Sequence, residues 1–418
     1  MLIDLLEKKY GKNDFTGLDY LVLVLIAGFG LLLRLMFIDL QFPDYTVCLR
    51  PWVETFKSYG GFPGLKYEIG NYTPAYMHLL MIISYFDVEP LYVIKGVGIA
   101  LDFVLAGVAC LFFVQEQQPW KKLLVFGTVL MLPTVIANSG VWGQCDNIYT
   151  IFVLLAFYAC RKDIKWTLRL KKHVLHVFQN DEVVMILLGM AFSFKIQTIF
   201  VLPVLALVFL QKRYRLLSLL WIFVVYFITL IPSWIAGRSL KDLLLIYFHQ
   251  TQSFSEMQLD FPNIYSFWQF DELAGQFGTC CILFCGLSLV IFVYYLYQKR
   301  VRPDMEFISV FLTFSITYIT FLLPHMHDRY AYVAEITALV YLLKKEKLWI
   351  PIVMNLLALA GYAHTLLWFD YPGINTYGAL IRIGLILILG RDLLVLADRK
   401  SAETQMEKVK NENRKENM

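Results

Sequence analysis

Residues 18–40, LDYLVLVLIAGFGLLLRLMFIDL, make an apolar run broken only by Asp19, Arg34 and Asp39. Wound as a helix at about 1.5 Å per residue, such a run extends roughly 34 Å, enough to cross a hydrocarbon layer of about 30 Å. It is too long for a signal-peptide core, and no small-residue cleavage site follows it, so it reads as a retained span. Comparable blocks recur at 216–236 and 377–389. Of the 418 residues, 58% are hydrophobic and only 17% charged, whereas soluble domains lie near 45–50% and 25%. The ten-residue alternation of a membrane barrel is missing. The expected fold is therefore all-α and polytopic. Most of the seven cysteines (Cys110, Cys160, Cys280, Cys281, Cys285) sit inside apolar blocks, which excludes a disulfide scaffold. Cys48 and Cys145 fall in expected outer loops, either as a pair or as two free thiols.

Working outward gives candidate spans at 18–40, 91–114, 121–137, 146–160, 182–194, 197–211, 216–236, 278–298, 305–323, 330–343, 348–369 and 376–396. The net charge of +4 matters less than its placement, and no nucleic-acid partner is expected. Lys8, Lys9 and Lys12 precede the first span, RKDIKWTLRLKK (161–172) holds six basic residues, and QKRYR, QKRVR and KKEK hold three each. The loops between them, with GVWGQCDN, HMHDRY and DYPGIN, hold hardly any. Lys and Arg gather in cytoplasmic loops, so both termini are expected in the cytoplasm. If Pro74–Phe86 crossed fully, the downstream basic tracts would fall on the wrong side. It is therefore expected to lie in or dip into the outer leaflet, giving twelve spans, with thirteen as the alternative.

A single membrane domain over 1–396 is expected, followed by a charged cytoplasmic tail, 397–418, without fixed structure. The long first outer loop, 41–90, contains an amphipathic stretch (Trp52, Phe56, Tyr59) and the run GGFPGLKYEIGNYTP. The second, 237–277, is rich in aromatics: Tyr247, Phe248, Phe254, Phe261, Tyr265, Phe267, Trp268 and Phe270. Loops of this length in a compact membrane protein are usually functional. No internal repeat is visible, which counts against a secondary transporter.

Ionisable groups at membrane depth are costly and mark candidate sites. The topology brings Asp44, Asp146, Lys195, Gln197, His325, His327, Asp328 and Arg329 to one face. Asp44, between Pro43 and Tyr45, is either a proton acceptor for an incoming hydroxyl or a cap for the helix 45–59. His325, His327 and Arg329 in PHMHDRY suit a phosphate; their alternative is a snorkelling interfacial patch, and no further well-spaced ligand supports a metal. Lys195 runs against the charge rule, which points to an anionic ligand or to a pair with Asp146. Lys95 and Asp102, seven apart, share a helical face and serve either a substrate or pairing with each other and neighbouring helices. Arg34 either snorkels outward or meets a lipid phosphate. Trp142, Gln144, Trp52 and Tyr72 are candidates for stacking on or hydrogen bonding to a sugar.

The ordered motifs FPDYTVCLRPWVETF, NYTPAY, VWGQCDNIY, FKIQTIFVLP and LPHMHDRYAY resemble bacterial relatives of the mannosyltransferase that adds the second mannose of GPI anchors. More distantly, they are similar to the dolichol-phosphate-glucose-dependent glucosyltransferases. Both groups belong to the GT-C superfamily, and the likeness spans about residues 18–341. It implies an inverting hexosyltransferase with Asp44 as catalytic base. The donor would be a sugar on a polyprenyl phosphate, and the expected acceptor is a hydroxyl of a glycan or lipid-linked acceptor. Asp146 matches the acidic residue of the second outer motif. By the same likeness, Lys195, Gln197, His325, His327 and Arg329 would line the region of the carrier phosphate. Neither cofactor nor metal is implied. Other branches carry two adjacent acidic residues in the first loop, whereas Asp44 stands alone. The setting is expected to be a bacterial plasma membrane with the site on its outer face. The rival readings are a lipid-linked-sugar flippase or transporter and a non-catalytic partner in polysaccharide assembly.

Overall fold

The computed structural model describes residues 15–114, 118–170, 173–251, 256–267, 273–301, 303–367, 369, 371 and 373–416. Lys8, Lys9, Lys12, Lys171, Lys172, Phe254, Trp268, Phe270, Arg302, Asp370 and Pro372, all used above, lie outside them. Helices dominate. Among the described residues six are long and apolar enough to cross a membrane: Gly17–Leu35, Pro90–Phe113, Leu216–Ile235, Ala274–Gln298, Met305–Leu322 and Trp349–Leu367. A seventh span forms if Pro119–Met131 and Pro133–Trp142, bent by 49° at a break, count as one. The chain is an integral membrane protein.

Other expected spans are shorter. Asp146–Lys162 has 17 residues and Asn180–Phe194 has 15, about 25 and 23 Å at helical rise. The stretch expected at 330–343 is two short pieces, Tyr332–Thr337 and Val340–Lys344. Pro74–Ile83, the segment expected to dip, is ten residues long, about half the hydrocarbon thickness.

Local sequence accounts for many boundaries. Proline opens the helices at Pro74, Pro90, Pro119 and Pro133, where its missing N–H costs nothing. Thr16 and Asp19 form a capping box before the first helix, and Asp304 caps Met305–Leu322 through the Phe307 amide at 3.0 Å. The first helix buries only Asp19, Gly30 and Arg34 while exposing Leu21, Val24, Leu25, Phe29 and Leu32. Small and polar inside with large apolar outside is the pattern of a lipid-facing helix.

The chain forms two compact units, Met1–Thr198 with Leu217–Phe254 and Ile199–Leu216 with Ser255–Met418. In the first, Asn180–Phe194 packs closely on Leu220–Ile235: a Cβ on Gly189 would stand 2.9 Å from Val225 and 3.1 Å from the Ile222 backbone. The 41–90 loop is folded. A wide π-type turn, Asp44–Leu49, continues into Arg50–Ser58, and Tyr45, Leu49, Phe56, Met77, Leu80 and Ile148 share one core. Gly61, at φ +79, lies against the Tyr85 ring, which leaves no room for a side chain. The basic stretch after Lys162 holds an antiparallel ribbon, Trp166–Leu170 against His173–Phe178, where sequence reading placed only a loop.

In the second unit Met305–Leu322 is enclosed, with every residue from Phe307 to Thr317 buried, and it packs on Ala274–Gln298 and the Ile374–Glu416 helix. That last helix corrects the expectation of a structureless tail from Ala397. Ion pairs hold its charged continuation: Asp398 to Lys299 at 2.8 Å, Arg399 to Glu306 at 2.7 Å and Lys400 to Asp304 at 2.7 Å. Ser401 also donates to the Lys299 carbonyl at 2.7 Å. Charged composition suggests disorder only where the charges lack such partners.

Candidate functional site

Asp44 begins the π-type turn directly after Pro43, and its carboxylate is half-buried. Gln144 Nε2 donates to its Oδ2. The other end of the same amide, Oε1, accepts from the Tyr72 hydroxyl at 3.3 Å, so both faces of Gln144 are committed. No side-chain cap is made to the helical turns that follow Asp44, so the capping alternative is not what its carboxylate does. The Asp44 charge and burial together hold the neighbouring Cys48 thiol above its usual range, burial being the larger cause. Cys48 and Cys145 are not joined in a disulfide.

Gln144 owes its position to a break. The bent pair ends in a second π-type turn, Ile136–Trp142, closed by Gly143 at φ +80, a conformation that glycine adopts without strain. The Gln144 amide then donates to the Asn138 carbonyl at 2.7 Å. Two residues on, Asp146 starts a helix. Its carboxylate, wholly buried, takes Lys195 Nζ at 2.6 Å and Asn138 Nδ2 at 2.9 Å. Asn138 returns the contact by accepting the Asp146 amide at 3.3 Å. Lys195 leaves the Asn180–Phe194 helix in extended conformation, which aims its side chain at Asp146. Its charge is met inside the protein, so of the two readings offered by the sequence the pair is the one observed.

Aromatic rings flank the group. Trp52, half-buried, meets Tyr72 edge-on at 5.8 Å, and its indole covers Gly70, where a Cβ would stand 2.7 Å from the ring. Tyr72 also touches Tyr76 at 4.9 Å, and Lys195 Nζ lies 6.0 Å from its centroid. Trp142 is enclosed and builds the turn; it presents no open face for stacking on a sugar. Gln197 is buried and takes no part in these hydrogen bonds.

Two expectations at membrane depth change. Arg34 neither snorkels nor faces lipid: it is buried, with Nε on Asp102 at 2.8 Å. Lys95 and Asp102 share a face but do not pair with each other; Lys95 Nζ donates to the Phe37 and Leu40 carbonyls, each at 2.7 Å.

His325, His327 and Arg329 belong to the second unit. Met326–His327 pairs in parallel with Gln258–Leu259. His325, at φ +60, meets the Glu256 carbonyl through Nδ1 at 2.6 Å and donates its amide to Met257 at 3.0 Å. Arg329 stands 3.7 Å from the buried Asp328 carboxylate. Burial pushes that carboxyl up to about 6, against the opposing pull of Arg329 and the Thr365 hydroxyl, which donates at 2.8 Å. Nearby His364 Nδ1 lies 2.8 Å from Asp260 Oδ1. Gly361 permits this closeness, because a Cβ there would stand 2.8 Å from the Asp260 carbonyl and 2.9 Å from Asp328 Cβ.

Asn138, Asp260, His364 and Thr365 were missed by sequence reasoning. Asn138 carried a signal, a polar residue at the end of an apolar block. His364 carried one too, a histidine near the end of an expected span. Asp260 offered none before its partner was known. Among the described residues no group of three or more His, Cys, Asp or Glu is placed to hold a metal ion. Comparison with family models, curated proteins and solved structures finds no match to the chain.

Proposed function

We propose that the protein is a membrane glycosyltransferase of GT-C type. It would move a hexose from a polyprenyl-phosphate carrier to a hydroxyl of a glycan or lipid-linked acceptor, with inversion. The reading includes twelve spans, cytoplasmic termini and a site on the outer face of a bacterial plasma membrane. One observation supports it most: in the first unit a half-open carboxylate, Asp44, is oriented by a doubly committed glutamine and sits near half-buried aromatics. Asp146, the other carboxylate of this group, is closed off by Lys195 and Asn138. Only the first of these can reach an entering hydroxyl.

In the proposed displacement the acceptor oxygen attacks the anomeric carbon while Asp44 takes its proton. The bond from that carbon to the phosphate oxygen breaks, and the electron pair leaves with the carrier phosphate. A phosphate leaves readily, so no general acid is required. Donors aimed at developing charge lower a barrier; His325, His327 and Arg329, in the second unit, have by themselves the chemistry of phosphate binders. Lys195 contributes by holding Asp146 and the turn before it. The broken pair Pro119–Met131 and Pro133–Trp142 favours a second reading, a lipid-linked-sugar flippase, because transporters often build sites from discontinuous helices.

The assay that separates the readings supplies purified protein with a polyprenyl-phosphate sugar and a glycan acceptor, and measures free carrier phosphate and extended acceptor. Release coupled to transfer, lost in Asp44→Asn, is the expected result. Movement of intact donor across vesicles without release would replace it with the flippase.

A further inference from the structure

The Pro90–Phe113 helix buries two ionisable side chains on one face, Lys95 and Asp102. Lys95 Nζ grips the Phe37 and Leu40 carbonyls, in the turn that leads out of the first helix to Asp44. Asp102 takes the Ser139 hydroxyl, in the turn that leads to Gln144, together with Asn147 Nδ2 at 2.8 Å. Arg34 completes the arrangement. Its Nε holds Asp102 at 2.8 Å, and its Nη1 donates to the carbonyls of Gly30 at 2.9 Å and Leu130 at 3.0 Å. Leu130 lies just before the helix break. Between Lys95 and Asp102, Gly98 lets the helix approach: a Cβ there would stand 3.3 Å from Ser139.

One helical face therefore holds both arms of the Asp44–Gln144 pair. Irregular backbone at membrane depth needs such partners for its freed polar groups. A buried ion pair is often no more stabilising than an apolar substitute, so stability alone is a weak reason for it. With all side-chain hydrogen bonds of Asp102 turned inward and no surface exposed, a direct substrate role is closed to it. We infer that Lys95, Asp102 and Arg34 are positioning residues that fix the Asp44–Gln144 hydrogen bond. The inference rests on the reading of Asp44 as the proton acceptor.

Two measurements test it, on Lys95→Met, Asp102→Asn and Ser139→Ala in the full-length protein. A misplacement of about 1 Å can cost 10²-fold in rate, so kcat is expected to fall about 10- to 100-fold in the first two, with donor KM within about threefold. Combining either with Gln144→Ala should add less than about threefold to the larger single loss, because both act through one contact. Fully multiplied losses, or an unchanged kcat, overturn the inference. Should Asp102→Asn not fold, Ser139→Ala replaces it, since that variant keeps the Arg34–Asp102 pair.

The second measurement does not need transfer activity: the maleimide labelling rate of Cys48, resolved by peptide mass and compared with its rate in the unmodified protein. Cys48 sits one turn beyond Asp44 and feels its charge. Its rate is expected to change several-fold in the variants. If the unmodified protein transfers no sugar, the transferase reading fails by itself. An unchanged Cys48 rate in all three variants overturns the positioning role whatever the activity.

Discussion

Within the first unit, Arg34 with Asp102 and Lys195 with Asp146 close into ion pairs of 2.8 and 2.6 Å, all four side chains buried. The polar cluster of the second unit is looser: Asp260 and His364 are more than a third exposed, and Arg329 stands 3.7 Å from Asp328. Closed pairs build a frame, because breaking one leaves an uncompensated charge in a poor dielectric. Asp260 and His364, partly open to solvent, remain reachable by a ligand. Beside these two pairs Asp44 is an exception, a carboxylate held by an amide with no cation on it among the described residues. That contrast is why it, and not Asp146, is assigned the proton.

The largest expected effect breaks the exception. Asp44→Asn keeps the size of the side chain and removes the base, so transfer should fall by about 10³-fold, within the usual range for general-base catalysis. Expression in the membrane and unfolding by SDS should be unchanged; a loss of less than tenfold would end the assignment. Next comes the frame. Lys195→Met strands the Asp146 carboxylate and should destabilise the protein by about 3–5 kcal/mol, read from SDS unfolding in mixed micelles. Adding Asp146→Asn should recover most of that loss. If the double variant is no better than the single one, the pair is not what holds this part of the frame.

How far the sequence reached follows the same division. Long apolar blocks gave the all-helical membrane fold, since hydrophobicity summed over twenty residues survives any detail of packing. The loop carrying Asp44 and the Gln144–Asp146 motif were also legible, as polar groups beside apolar runs. The 49° break was not legible: the span expected over 121–137 runs straight through Pro133, and the π-type turn after it depends on Arg34, Asp102 and Ser139 meeting from remote segments. Lys195 could be read two ways because sequence distance does not tell whether a charge faces a ligand or a neighbour. The ribbon at 166–178 lay hidden within a basic tract, where charge pattern drew attention from alternation. The charged C-terminal helix was missed because its ion-pair partners, Lys299, Asp304 and Glu306, are far away in the chain.

The smallest expected effect sharpens the contrast through pH. Burial raises the Asp328 carboxyl from 3.8 to about 6 in the folded protein. A raised folded value means that the native state favours the protonated form, so its contribution is fully present below about pH 4. It is lost as pH rises through about 6, at most about 3 kcal/mol in total. Asp328→Asn should remove that slope, since a neutral amide of the same shape still accepts from Thr365. The stability difference between variant and parent should therefore grow from pH 4 to pH 6 and level off above. Arg329→Gln removes the opposing charge and should shift the same window upward. Thr365→Val, losing one hydrogen bond to the carboxylate, should cost about 1–2 kcal/mol at pH 7 and less at pH 4. A flat difference across this range would mean that Asp328 is solvated, and the second unit's cluster would then be no more than a surface patch.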